Sequence, residues 1–119
     1  MQKNIITYPN LSLKNYDKSI PKVAADIWLN NLLTELNWVE GEIKLFGKVI
    51  KIPRLQSWYA DPGCNYKYSG KFLERNTWNP TLIEIKNSIE AITSEKYNSV
   101  LANYYRDGND SMGWHSDDE

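Results

Sequence analysis

The chain has 119 residues, 41% of them hydrophobic, which is enough for one modest core and too short for two domains. Its 14 Lys plus Arg stand against 15 Asp plus Glu, and a net charge of -1 excludes the global attraction to polyanions of histone-like proteins, so any nucleic-acid contact must be local. Cys64 is the single cysteine, which excludes an internal disulfide framework and a Cys-rich zinc site.

No stretch approaches the roughly 18 apolar residues of a membrane span, and MQKNIITYPN lacks the apolar run of a secretory leader. These features lead us to expect an intracellular protein, cytoplasmic or, in a eukaryote, nuclear, with no membrane partner and no obligate protein partner. Five Trp and eight Tyr exceed what a minimal core requires, so some rings are candidates for ligand contact.

In chain order, residues 1–20 read as polar and irregular. Ser19, Ile20 and Pro21 signal a helix start. Ala25, Leu29, Leu32, Leu33 and Leu36 follow at helical spacing, placing that stripe on a core and Asn30, Asn31 and Glu35 in water, with an end near Trp38. Ile43 and Leu45, then Ile50 and Ile52, alternate with charged residues around Phe46-Gly47-Lys48, the pattern of a hairpin tipped by Phe46. Leu55 to Ala60 reads as a further strand and Asp61-Pro62-Gly63 as a turn, with irregular chain through Tyr66, Tyr68 and Gly70. Asn79 before Pro80 caps a second helix whose Leu82, Ile85, Ile89 and Ile92 face inward. Asn98 to Tyr105 is a strand, residues 107–110 a turn, and Met112 to Asp117 the start of another strand.

The chemistry concentrates near the end. In an extended segment residues two apart point the same way, so His115 and Asp117 of His115-Ser116-Asp117 could both face one metal ion. Three residues recur by chance, and a solvated His in an acidic run is the bland alternative. The preceding strand strengthens the pattern, because Leu101, Asn103 and Tyr105 share one face and set an amide beside a phenol, both able to bond a carboxylate.

With these residues in view, LANYYRDGNDSMGWHSDDE resembles the stretch of AlkB-type iron(II)- and 2-oxoglutarate-dependent dioxygenases that runs from the cosubstrate-binding Asn-x-Tyr to the iron-binding His-x-Asp. LFGKVIKIPRLQSWYADPG and NYKYSG resemble the nucleotide-recognition region of that family's alkylated-DNA-repair branch, so the likeness covers Leu45 to Glu119. The resemblance implies an α+β fold: a double-stranded β-helix, or jelly roll, with supporting N-terminal helices, incomplete at the C-terminus. Residues 1–119 would then be a single domain.

It further implies iron(II), 2-oxoglutarate and O2 as cofactor, cosubstrate and oxidant, with His115 and Asp117 as metal ligands and Asn103 and Tyr105 on the 2-oxoglutarate. Tyr66 and Tyr68 would line the pocket of a flipped base, and Asp118 and Glu119 would face a cationic lesion such as 1-methyladenine or 3-methylcytosine. Phe46 would fill the gap left in a duplex. Lys44, Lys48, Lys51 and Arg54 would contact phosphates beside it. A core or anchoring role competes for Tyr66, ordinary packing for Phe46, ordinary solvated charge for Asp118 and Glu119, and edge protection for the lysines.

The implied function is oxidative dealkylation of nucleic-acid bases in DNA repair. A catalytically silent nucleic-acid-binding module, or a relative acting on RNA or protein, is the alternative. In the family a second iron-binding His and a carboxylate-binding Arg lie downstream, whereas this sequence has one His. The 119-residue chain alone is therefore expected to be inactive.

Overall fold

The computed structural model describes residues 2–68 and 71–115. Its elements in chain order are β1 (Gln2–Tyr8), β2 (Leu11–Asp17), α1 (Lys22–Glu35), β3 (Val39–Leu45), β4 (Lys48–Ala60), β5 (Lys67–Tyr68), β6 (Lys71–Phe72), α2 (Pro80–Thr93) and β7 (Ser99–Tyr104). The fold is α+β with antiparallel sheets, as the sequence implied.

The centre is a three-stranded sheet in the order β3-β4-β7. Leu55 to Ala60 of β4 pair with Tyr104 to Ser99 of β7. Because opposite residues share a face, Leu55, Ser57 and Tyr59 line up with Tyr104, Ala102 and Val100 on one side, while Gln56 and Trp58 line up with Asn103 and Leu101 on the other. The two faces have different fates.

The first face carries the helices. Leu36, Tyr59 and Leu82 form a buried cluster against which Leu32, Trp38, Trp78, Ile85, Val100 and Ala102 pack. The polar atoms brought along are satisfied. Tyr59 Oη accepts the Asn37 backbone N–H at 2.8 Å, Ser57 Oγ donates to Asn37 O at 2.8 Å, and Trp38 Nε1 donates to Leu32 O at 3.1 Å. Asn79 caps α2, its side chain accepting Leu82 N–H at 2.8 Å with Pro80 at the first helical position.

β4 runs unbroken through Pro53, where the alternation alone suggested a hairpin arm and then a separate strand. Register explains the continuity. Glu40 pairs with Leu55 but Glu42 with Lys51, so a bulge opens at Gly41, opposite Ile52, Pro53 and Arg54. Pro has no N–H to give to a ladder, and a bulge demands none. Gly41 is equally constrained, since a Cβ there would lie 2.6 Å from Gln56 Nε2 and 2.8 Å from Ile52 Cδ1.

Three further expectations need correction. Residues 1–20 are not irregular: β1 and β2 form a hairpin closed by Pro9 and Asn10, with Tyr8 opposite Leu11 and Asn10 at φ 60°. The inward stripe of α1 is also rotated from the one expected. Ala24, Trp28, Asn31 and Leu32 are half-buried and Leu36, just past the helix, is buried, whereas Leu29 and Leu33 are exposed. Asn31, expected in water, is half-buried, and with Glu35, which is exposed as expected, it forms the junction with α2: Asn31 Nδ2 donates to Thr81 Oγ1 (3.3 Å), and Glu35 accepts from Thr81 Oγ1 (3.1 Å) and Asn79 Nδ2 (3.0 Å). Finally, Met112 to His115 form no strand, and no neighbouring strand pairs with them among the described residues.

Candidate active site

The second face of the sheet assembles the residues singled out by chemistry. Asn103 sits opposite Gln56 and shares its face with Leu101, as the period of two required. Tyr105 lies one residue past β7, and its hydroxyl reaches back to β4, accepting a hydrogen bond from Arg54 Nη1 at 3.2 Å.

Arg54 departs most from its expected setting. Grouped by sequence with lysines along a phosphate-contacting edge, it is only 5% exposed, while Lys48 and Lys51 are exposed. Its position explains this, for Ile52, Arg54, Gln56 and Trp58 alternate along β4 and all are buried. Arg54 Nε has no hydrogen-bond partner among the described residues. An unmade bond by a buried charged group costs about 1–3 kcal/mol or more, which makes this atom conspicuous. Gln56, 2% exposed, is a second residue of this face that sequence reasoning passed over. The signal available was parity, since both are two apart from Ile52 or Trp58.

Tyr66 packs its ring on Trp58, centroids 5.8 Å apart at 42°, so it anchors the loop after β4 onto this same face. Tyr68 is placed by its backbone alone, in a short hairpin where Lys67 and Tyr68 pair with Phe72 and Lys71. Asn76 continues the sheet where β3 runs out, its N–H donating to Trp58 O (3.0 Å) and its carbonyl accepting Ala60 N–H (3.2 Å). A recess of about 80 Å³ between this segment and β4 is lined by Gln56, Trp58, Leu73 and Asn76 among others. A larger groove, about 330 Å³, lies on the helix side against Trp78, Leu82, Ile85 and Val100, and none of the candidate residues lines it.

At the far end of β4, Phe46 and Gly47 form the two-residue turn to β3 with φ of 50° and 76°, and Phe46 is 96% exposed. A ring so placed packs against nothing in the described chain, which removes ordinary hairpin packing as its explanation. Lys51 pairs with Glu40 at 3.6 Å.

His115 is exposed, with Nδ1 2.8 Å from Gly113 O. A carbonyl only accepts, so Nδ1 is the donor in this contact, and a metal ion would be met by this imidazole through Nε2. Asp117, Asp118 and Glu119 lie outside the described residues, and among those described no three of His, Cys, Asp and Glu gather around one point. Arg106 is held by Asp110, with Nε to Oδ2 at 2.7 Å and Nη2 to Oδ1 at 3.1 Å. That pairing raises the Arg106 pKa and holds the Asp110 carboxyl below the usual aspartate range. Arg106 is thus committed to Asp110.

A sequence model described as the 2OG-Fe(II) oxygenase superfamily matches residues 12–119. The chain belongs to that superfamily. Within it, the chain is 35% identical over 108 residues to "DNA oxidative demethylase ALKBH2" of Homo sapiens, covering 88% of this chain and 41% of that protein. It is 47% identical over 68 residues to "Alpha-ketoglutarate-dependent dioxygenase alkB homolog 3" of Bos taurus, covering 56% of this chain and 23% of that protein. The superfamily member described here is therefore AlkB-type, as its Asn-x-Tyr and His-x-Asp stretch indicated, and it spans about two fifths of the length of the ALKBH2 relatives.

Proposed function

We propose that this chain forms part of an enzyme that removes alkyl groups oxidatively from nucleic-acid bases, using iron(II), 2-oxoglutarate and O2. The observation that carries the reading is the second face of the β4–β7 sheet, where Asn103, Tyr105 and Arg54 offer hydrogen-bond donors, one of them buried and unpartnered. That donor set fits an anionic cosubstrate. Under this reading, His115 and Asp117 hold the metal, and Asn103 and Tyr105 bind a 2-oxoglutarate carboxylate. Iron(II) with 2-oxoglutarate supplies the activation of oxygen when both are bound.

The remaining residues handle the nucleic acid. Exposed Phe46, at the tip of a hairpin that also carries Lys48 and Lys51, suits insertion into a duplex gap with phosphates on either side. Tyr66 is held against Trp58, and under this reading Tyr66 and Tyr68 supply the rings on which a flipped base stacks. The three-stranded sheet with helices on one face is, on this reading, the opening of a double-stranded β-helix, and residues 1–119 belong to one domain.

The test is succinate release and base repair by the protein carrying this chain, on methylated single- and double-stranded oligonucleotides. His115→Ala should abolish both, and Phe46→Ala should weaken repair of duplex more than of single strands. Turnover that survives loss of His115 would sink the assignment of the metal site, and equal loss on both substrates would sink the finger.

A further inference from the structure

Arg54 is a buried cation on the second face of the sheet, and no carboxylate among the described residues pairs with it. A guanidinium has five N–H donors and no acceptor, so in the 3.2 Å contact with Tyr105 the phenolic oxygen must accept. The direction matters. With its oxygen engaged by a cation, the hydroxyl is polarised and its own proton is left to be donated, and Tyr105 is 45% exposed and so within reach of a ligand. The Arg54 Nε–H, on another edge of the same group, lacks an acceptor among the described residues. A desolvated charge with an unmade bond calls for an anion nearby.

We propose that Arg54 is a positioning residue for the cosubstrate: it fixes and polarises the Tyr105 hydroxyl so that this group donates to a carboxylate of 2-oxoglutarate, whose negative charge compensates the buried guanidinium. Arg54 thereby leaves the phosphate-contacting set in which its sequence neighbours place it. The inference rests on the reading of Asn103 and Tyr105 as cosubstrate residues, and its failure is distinguishable from the failure of that reading.

The experiment measures binding of 2-oxoglutarate by calorimetry to the protein carrying this chain, loaded with manganese(II) so that no turnover intervenes. Arg54→Met should weaken binding on the order of ten- to a hundred-fold, the range for a hydrogen bond to a charged group. Arg54→Lys, which keeps charge but loses the fork, should recover only part of it. In a Tyr105→Phe background Arg54→Met should cost far less, because Arg54 acts through the hydroxyl that is gone. Equal losses in both backgrounds would overturn the proposal.

If Asn103→Ala and Tyr105→Phe weaken binding and Arg54→Met does not, the cosubstrate site stands and this inference falls. If none of the three weakens it, both fall. Loss of affinity for a methylated oligonucleotide with 2-oxoglutarate binding intact would return Arg54 to the nucleic acid and reject the proposal. A measurement on the unaltered protein guards against a variant that fails to fold: the Arg54 Nε–H resonance in a nitrogen-15 correlation spectrum should shift on addition of 2-oxoglutarate, and an unmoved signal would refute the role.

Discussion

The two faces of β4 are made by alternate residues of one strand, yet they follow different rules. On the helix face, Ser57 and Tyr59 have every described polar atom bonded within the protein and pack against Leu36 and Leu82. On the opposite face, Arg54 is as deeply buried but carries a donor with no partner among the described residues. Burial alone therefore does not separate structure from function in this sheet; hydrogen-bond completeness does. The first face is finished by the chain itself, and the second still calls for an acceptor.

The sharpest way to break this comparison is to remove a side chain from the finished face. Tyr59→Ala deletes a ring that is 4% exposed and orphans the Asn37 N–H, so a loss of about 3–5 kcal/mol is expected in denaturant unfolding. A loss below about 1 kcal/mol would show that the helix face is not the anchor of the fold.

Gly41→Ala probes the other face, where the added Cβ meets Gln56 and Ile52 at under 3 Å. Both neighbours are at most 2% exposed and cannot move aside freely, so overpacking of about 1–3 kcal/mol is expected. A neutral outcome in thermal unfolding would mean that Gln56 and Ile52 yield to the added methyl without cost.

How much of this was legible in the sequence differs by element, for physical reasons. The Phe46-Gly47 hairpin and the Asn79-Pro80 helix start were readable because turn and cap chemistry is local. The β1–β2 hairpin escaped although Pro9-Asn10 is a turn pair, because its strands mix apolar residues with Asn and Lys on both faces and no core imposes a clean alternation. The inner stripe of α1 was misjudged because Val23, Ile27, Leu29 and Leu33 give the exposed side its own apolar pattern, and polar Asn31 and Glu35 make the contact with α2. Met112 to Asp117 carried a strand-like expectation, but a strand exists only by pairing, and the described part, Met112 to His115, has no strand partner among the described residues. In the candidate site, the shared face of Asn103 and Leu101 followed from parity, whereas the Arg54–Tyr105 bond joins residues 51 apart and has no local signature.

The smallest expected effect lies at the margin of the site. The bonds from Arg106 hold Asp110 in its charged form below the usual aspartate range. A depressed carboxyl contributes stability above its unfolded pKa and loses it as the pH falls through the folded value. Asp110→Asn should therefore lower the unfolding midpoint slightly at neutral pH and leave no difference from the unaltered chain in strong acid, as read by denaturant titrations across that range. A difference that persists unchanged in acid would mean the pair is held by shape and not by charge.

The bulge at Gly41 turns one continuous strand into a cantilever. From Ala60 back to Leu55, β4 is clamped between β7 and its neighbours; from Lys51 back to Lys48 its one strand partner among the described residues is β3, and the arm ends at Phe46. At roughly 3.3 Å per residue, the exposed ring stands about 20 Å from the bulge. Arg54 occupies the strand at the root of that arm, where any bending load on the tip is greatest. Whatever Phe46 meets is thus mechanically continuous with the guanidinium that holds Tyr105, along a single backbone and without any intervening loop.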